Sequence, residues 1–260
     1  MEAKASHRQI LGINFYAGDV RGAIQRMSHG GLLVVPAAPA LRELDRDASY
    51  REALENADLA ITDSAFMVLL WNLLERDSLP RLSGLKYLHE LLKTPDMRRP
   101  GNTFWIMAGP ASAETNLNWL RSRGIHVPHN CVYEAPLYRG QINDPVLVDK
   151  INRVRPKQIV IALGGGVQER LGYYLKLRLD YLPGIHCIGA AIAFLSGDQV
   201  RIPLWADRFY LGWLFRCVSA PCRFIPRYWE ARKLLPLLMR YRHRSPIEPV
   251  EIPEKSREAA

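Results

Sequence analysis

The chain has 260 residues, of which 48% are hydrophobic and 23% charged, with 35 Lys and Arg against 26 Asp and Glu. That length and apolar content support a buried core in one large domain or two small ones and exclude a wholly disordered chain. The longest apolar runs, such as Cys187 to Leu195, fall far short of the roughly 20 residues that a membrane-crossing helix needs, so none is expected. Met1 to Ile10 carries Glu2, Lys4, His7 and Arg8 with no apolar core, so no secretory signal is expected and the reading is cytoplasmic. The cysteines, Cys131, Cys187, Cys217 and Cys222, form no C-x-x-C pair, which argues for reduced thiols and against a structural zinc site.

Short apolar runs alternate with longer amphipathic stretches up to about Phe194, the pattern of βαβ units in a mostly parallel sheet flanked by helices, so the fold class is α/β. Strands are predicted at Gln9 to Asn14, Leu32 to Pro36, Leu59 to Thr62, Thr103 to Ala108, His129 to Tyr133, Gln158 to Leu163 and His186 to Gly189. Apolar spacing predicts helices at Val20 to Met27, Leu41 to Glu55, Phe66 to Glu75, Lys86 to Leu92, Ala113 to Arg123, Pro145 to Arg153 and Gln168 to Arg178.

Beyond Gly197 the texture changes. Between Arg201 and Arg244 ten Arg or Lys residues face two acids, Asp207 and Glu230, so this segment carries +8 of the formal +9. Nine aromatic residues lie between Trp205 and Tyr241, and Pro203, Pro221, Pro226 and Pro236 are expected to interrupt any long helix. The division read from these shifts is an α/β domain over 1–197, a basic, aromatic helical appendage over 198–244 that packs on the sheet domain and then leaves it, and a disordered tail over 245–260. A basic block of this kind suits a polyanion: nucleic acid, a phosphorylated substrate or an anionic membrane surface. No nucleic-acid motif accompanies it, and nucleic acid is not expected as a partner.

Open α/β sheets bind ligands at the carboxyl ends of their strands, and four polar groups are candidates. Asp63 ends the strand before an apolar helix and suits either a general base or, on spacing alone the preferred reading, an N-cap shared with Ser64. Gly164-Gly165-Gly166-Val167-Gln168-Glu169 allows close backbone approach, yet Glu169 would oppose a phosphate at that helix end, so Gln168 and Glu169 are read as meeting neutral hydroxyl or amide groups or as part of a plain tight turn. Arg81 in Arg81-Leu82-Ser83-Gly84 is either an anion clamp or a solvated arginine, the latter preferred. Asp45-Arg46-Asp47 falls inside a predicted helix, where its carboxylates diverge. No metal site and no cofactor are expected.

Taken in order, these segments resemble the WecG/TagA/CpsF glycosyltransferase family from about Arg8 to Arg244. The resemblance rests on Ile10-Leu11-Gly12-Ile13-Asn14, Ala57-Asp58-Leu59 through Asp63, Arg81-Leu82-Ser83-Gly84, Ala108-Gly109-Pro110 and Gln168-Glu169. It continues through Gly197, Arg201, Pro203 and Trp205 to its most specific part, Leu211-Gly212-Trp213-Leu214-Phe215-Arg216 with Pro221, Arg223, Arg227 and Tyr228. It implies a Rossmann-like core and an inverting, metal-independent transfer from a UDP-sugar to a polyprenyl-diphosphate-linked sugar, in surface-polysaccharide or cell-wall polymer synthesis. The enzyme would sit peripherally on the inner face of the cell membrane, and a homo-oligomer is compatible with it. Asp63 would be the catalytic base. Arg81, Gly109, Gln168 and Glu169 would line the substrate, and Arg201, Arg216, Arg223 and Arg227 would meet diphosphate charge. The chain departs from the family's usual pattern at Pro36-Ala37-Ala38, at Ser64 and at Gly166-Val167, which implies a changed donor or, as the alternative, a catalytically weakened member acting as a membrane-associated scaffold.

Overall fold

A computed structural model describes residues 7–199, 202–203, 205–206 and 211–246, and of Arg223 and Arg227 only the backbone. Its body is an eight-stranded sheet. In chain order the elements are β1 (His7–Ile10), β2 (Ile13–Tyr16), α1 (Val20–Met27), β3 (Gly31–Val34), α2 (Ala38–Leu41), α3 (Ala48–Glu55), β4 (Leu59–Ile61), α4 (Ala65–Glu75), α5 (Gly84–Leu91) and α6 (Pro95–Arg98). They continue with β5 (Thr103–Met107), α7 (Pro110–Ser122), β6 (Val132–Glu134), α8 (Pro145–Val154), β7 (Gln158–Ala162), α9 (Val167–Arg178), β8 (Gly184–Cys187) and α10 (Ala191–Ser196). Three helices close the described chain: α11 (Gly212–Ser219), α12 (Pro221–Ala231) and α13 (Leu234–Tyr241).

The strand order is β1-β2-β4-β3-β8-β7-β5-β6. Only the β1–β2 hairpin is antiparallel; the other pairs run parallel. The inner strands are apolar on both faces because helices cover both. Side chains alternate accordingly: Leu32, Val34, Phe104, Ile106, Ile159 and Ile161 enter one core, and Leu33, Val35, Trp105, Met107 and Val160 the other. His186, buried on β8, bridges Tyr87 Oη at 3.0 Å and Gln158 Oε1 at 2.7 Å, and burial lowers its pKa to about 3. A neutral ring that accepts from the tyrosine and donates to the amide satisfies all three groups.

Caps fix where the helices start. Asp19, Asp47, Ser64, Ser83 and Asp144 accept from backbone N–H groups of α1, α3, α4, α5 and α8. The Asp47 cap splits the single helix expected over Leu41 to Glu55, so Asp45-Arg46-Asp47 lies in the turn between α2 and α3 rather than within a helix. The strand expected over Gln9 to Asn14 is likewise a hairpin, turned by Leu11 (φ 51°) and Gly12 (φ 81°). A β-branched or bulky residue in this region is normally strained; here the buried Leu11 donates its N–H to Arg242 O at 2.7 Å and Gly12 donates to His243 O at 3.1 Å. The far C-terminal segment holds the turn.

The appendage expected over 198–244 to pack on the sheet domain and then leave it instead returns to the sheet domain at its described C-terminal end. Ala231, Leu234, Leu237 and Leu238 are buried in the same core as Met67, Val68 and Trp71 of α4, and Arg42 pairs with Glu230. Pro226 sits inside α12 rather than ending it, at the cost of the bond to the Cys222 carbonyl. Arg51 Nη1 also donates to Pro246 O at 3.0 Å; positions 247–260, to which most of the expected disordered tail belongs, lie outside the described residues.

Helix α9 rests on the sheet through a glycine. A Cβ on Gly172 would stand 2.6 Å from Cys187 Sγ and 2.7 Å from Leu32 Cδ1, inside a buried face with no room to give. Gly172→Ala gains about 1 kcal/mol of helix propensity but incurs an overpacking cost of about 1–3 kcal/mol. The variant is therefore expected to unfold at lower denaturant than wild type, and an unchanged or raised midpoint would show that α9 shifts away from the sheet.

Candidate active site

All the parallel strands deliver their polar ends to one edge of the sheet. Asp63 follows β4, the Gly164–Gly166 turn follows β7, Gly189 follows β8 and Gly109 follows β5. A cavity of about 270 Å³ lies over these ends, with Asp63, Gly164, Gly165, Gln168, Gly189 and Asp198 in its wall. A second, of about 400 Å³, opens between α4 and the C-terminal helices and is lined by Phe66, Leu69, Arg81, Trp213, Trp229 and Arg232. Asp63, Ala37, Arg216 and Phe224 line both.

Asp63 is a half-buried carboxylate with two different oxygens. Oδ1 accepts from Gly84 N–H at 2.9 Å and lies 3.8 Å from Arg81 Nη2, while Arg81 Nε donates to the Asp63 carbonyl at 2.7 Å. Oδ2 has no hydrogen-bond partner among the described residues. The cap that the spacing suggested for Asp63 or Ser64 is made by Ser64, whose Oγ accepts from Met67 N–H at 3.2 Å. The division releases Asp63 from α4. It is instead braced against the first N–H of α5, which fixes the carboxylate while leaving one oxygen toward the cavities.

Arg216 stands where the two cavities meet. Its guanidinium carbon lies 4.4 Å from the centre of the Phe194 ring, Nη1 donates to Tyr228 Oη at 3.0 Å, and Nε is buried with no hydrogen-bond partner among the described residues. Tyr228 stacks with Phe224 and meets Trp213 edge-on. A half-buried guanidinium that lines two cavities is suited to an anionic group entering either. Arg201 lies outside the described residues, as do the side chains of Arg223 and Arg227, whose backbone positions fall on α12.

Gln168 and Glu169 are turned inward. Gln168 Oε1 accepts from Gly189 N–H at 2.6 Å, and its Nε2 donates to Glu169 Oε1 at 2.9 Å. Glu169 is fully buried and its Oε2 accepts from Gly166 N–H at 2.6 Å. The pair ties the turn after β7 to the turn after β8, so the neutral amide groups that sequence assigned to them are the chain's own. Gly166 has φ 89°, which only glycine adopts readily. Gly109 caps α7 in extended backbone with nothing within 4 Å of where a Cβ would stand and lines neither cavity, although its neighbour Ala108 lines the strand-end one.

Sequence reading passed over Ser112, Asn116 and Asp198. They converge on the same cavity from α7 and from the end of α10, and no local pattern announces them. The sole hint is that Asp198 follows Gly197, the left-handed cap of α10. No group of three or more metal-ligating side chains occurs among the described residues, and no described helix is long and apolar enough to cross a membrane.

Comparison with known proteins makes the chain a glycosyltransferase. It belongs to the glycosyl transferase WecG/TagA/CpsF family, whose sequence pattern matches residues 8–247. Two relatives carry the name N-acetylglucosaminyldiphosphoundecaprenol N-acetyl-β-D-mannosaminyltransferase. That of Bacillus spizizenii (strain ATCC 23059 / NRRL B-14472 / W23) is 26% identical over 211 residues, 77% of this chain and 78% of the relative. That of Bacillus subtilis (strain 168) is 23% identical over 189 residues, 70% and 71%.

The burial of Glu169 has a measurable consequence. Desolvation raises its pKa from 4.5 to about 7 against the opposing bonds from Gln168 and Gly166. The folded chain then holds a proton that the unfolded chain has released, so the stability this proton confers is full below about 4.5 and lost as pH rises through about 7. Denaturation midpoints of wild type, measured from pH 5 to 8, are expected to fall relative to those of Glu169→Gln. Parallel profiles would show that Glu169 is ionised in the fold.

Proposed function

We propose that this glycosyltransferase moves a sugar from a UDP-sugar to a polyprenyl-diphosphate-linked sugar at the inner membrane face, with inversion and without a metal ion. The product would feed a surface polysaccharide or cell-wall polymer. The observation that carries the reading is the shared wall of the two cavities: a single carboxylate, Asp63, and a half-buried cation, Arg216, stand between a polar strand-end cavity and an aromatic one. The names of the two Bacillus relatives, which specify a lipid-diphosphate-linked acceptor, support it. The donor sugar of this chain is left to experiment, because Pro36-Ala37-Ala38 brings no polar side chain to the cavity.

The donor enters the strand-end cavity and the acceptor the aromatic one. Asp63 Oδ2 takes the proton of the acceptor hydroxyl as its oxygen attacks the anomeric carbon, and the bond to the diphosphate breaks on the opposite side of the ring. One base and one displacement invert the anomeric centre. Charge on the departing diphosphate is met by Arg216, with Arg201, Arg223 and Arg227 as further candidates, in place of a metal ion. Asp63→Asn keeps the bond from Gly84 but cannot take a proton. Transfer assayed in EDTA is expected to drop about a hundredfold to ten-thousandfold with an unchanged melting temperature. Wild-type turnover in the variant would dismiss Asp63 as the base, and loss of wild-type activity in EDTA would dismiss the metal-free route.

The mouth of the aromatic cavity faces outward through large apolar side chains. Leu69 is 59% exposed and Leu73 76% on α4, and Trp213 is 49% and Trp229 61% exposed on α11 and α12, with Arg232 beside them. Such a surface suits the headgroup level of an anionic leaflet. Truncation after Ala220 is a poor probe, since it removes core residues of α13, so the exposed leucines are the better target. Leu69→Glu with Leu73→Glu is expected to weaken binding to anionic liposomes roughly tenfold or more and to leave the fold intact. Equal liposome binding by variant and wild type would remove α4 from the membrane-facing surface.

A further inference from the structure

The far end of the strand-end cavity holds a closed ring of hydrogen bonds. Asp198 N–H donates to Ser196 Oγ at 3.2 Å, Ser196 Oγ to Asn116 Oδ1 at 2.6 Å, Asn116 Nδ2 to Ser112 Oγ at 3.2 Å, and Ser112 Oγ to Asp198 Oδ2 at 2.6 Å. Asn116 and Ser196 are buried, whereas Ser112, Asn116 and Asp198 all line the cavity. The ring fixes the carboxylate through both its main chain and one oxygen. Oδ1 has no hydrogen-bond partner among the described residues.

Two features define what such a carboxylate can meet. Ser112 lies in the first turn of α7, so Asp198 already supplies the negative charge which that helix end favours, and a phosphate there would meet like charge. A neutral group with O–H donors fits instead. Position selects among the parts of the donor: β3, β8 and β7 separate β4, which ends at Asp63, from β5, which feeds α7. With the anomeric carbon at Asp63 and the diphosphate at Arg216, the part of a UDP-sugar that extends away from Asp63 is the nucleoside.

We infer that Asp198 binds the ribose of the donor, its carboxylate accepting from the 2′,3′-diol while the ring through Ser112, Asn116 and Ser196 holds it in place. The inference rests on the UDP-sugar reading above. It makes Asp198 a donor-binding residue, separate from the base, whose effect falls on nucleotide affinity.

Calorimetric titration of the full chain with UDP and with 2′-deoxy-UDP tests it. Wild type is expected to bind UDP roughly tenfold or more tightly, the worth of a hydrogen bond to a charged acceptor. Asp198→Ala is expected to bind the two within about twofold of each other. Asp198→Asn keeps an acceptor for Ser112 and guards against a folding defect; it should narrow the ratio without erasing it, since a neutral bond is about half as strong. Ser112→Ala, which breaks the ring but retains the carboxylate, should preserve a preference for UDP. An undiminished preference in Asp198→Ala overturns the inference, as does equal weakening of both ligands, which would place the carboxylate on the uracil N–H or in a structural role. An effect confined to UDP-sugars, with UDP itself unaffected, would assign it to the sugar hydroxyls and also overturn it. Failure of wild type to bind any uridine nucleotide would overturn the donor reading, and the inference with it.

Discussion

The constraint on which the rest of this structure depends is the double-sided burial of its inner strands. Phe104, Trp105, Ile106 and Met107 on β5, and Ile159, Val160 and Ile161 on β7, are fully enclosed by helices above and below. Such strands admit polar side chains only when these are satisfied internally, as His186 is by Tyr87 and Gln158. Chemistry is thereby confined to the strand ends, and because the strands are parallel those ends lie on one edge. Asp63, the glycine turn after β7, Gly189 and the start of α7 are neighbours for that reason, although more than a hundred residues separate the first from the third.

Charge is then distributed along that edge in an unusual sense for a parallel α/β sheet. Helix N-termini at strand ends ordinarily attract phosphate. Here α9 is met by the carboxyl of Glu169 and α7 by Asp198 through Ser112. Cationic charge comes instead from Arg81, beside Asp63, and from Arg216, supplied by the C-terminal helices. The appendage is therefore part of the site as well as part of the fold. Its last helix fills the core around Trp71, and its terminal carbonyls hold the β1–β2 turn. A segment that enters the core in this way positions Arg216 more firmly than a loosely attached arm would.

The parts legible in sequence are those decided locally. Val20 to Met27 is read at its observed bounds because an Asp19 cap and apolar spacing agree. Asp63 was identifiable as a strand-end carboxylate, but spacing could not separate the roles of Asp63 and Ser64, since both are able to cap; the choice depends on Gly84 and Arg81, some twenty residues away. The split of the helix expected at Leu41 to Glu55 was hidden because Leu41, Leu44, Tyr50 and Leu54 keep a helical apolar rhythm across the break and are all buried. The Leu11-Gly12 turn was hidden for a different reason: leucine is a poor turn former, and its left-handed backbone is held by carbonyls at 242 and 243. The Asp198 ring closes over separations of 80 and 86 residues, beyond any periodicity.

The same distinction bears on substrate selection. On the β3 side the strand-end cavity is bordered by Val35 and Ala37, with no side-chain hydrogen-bonding group, and the hydroxyl of Ser64 is engaged in capping α4. On the β5 side stand Ser112, Asn116 and Asp198. Between them Gln168 and Glu169 use most of their hydrogen-bonding capacity on Gly189 and Gly166. A ligand lying across the edge would then be read by side chains at its nucleoside end and by shape and main chain at its sugar end. Shape discriminates weakly against an added or missing hydroxyl, whereas a buried polar partner left unpaired discriminates strongly. In the proposed binding mode the nucleotide would be specified more tightly than the sugar, and exchange of Ala37 or Ala38 for a residue with a side-chain amide would be the direct route to tightening sugar selection.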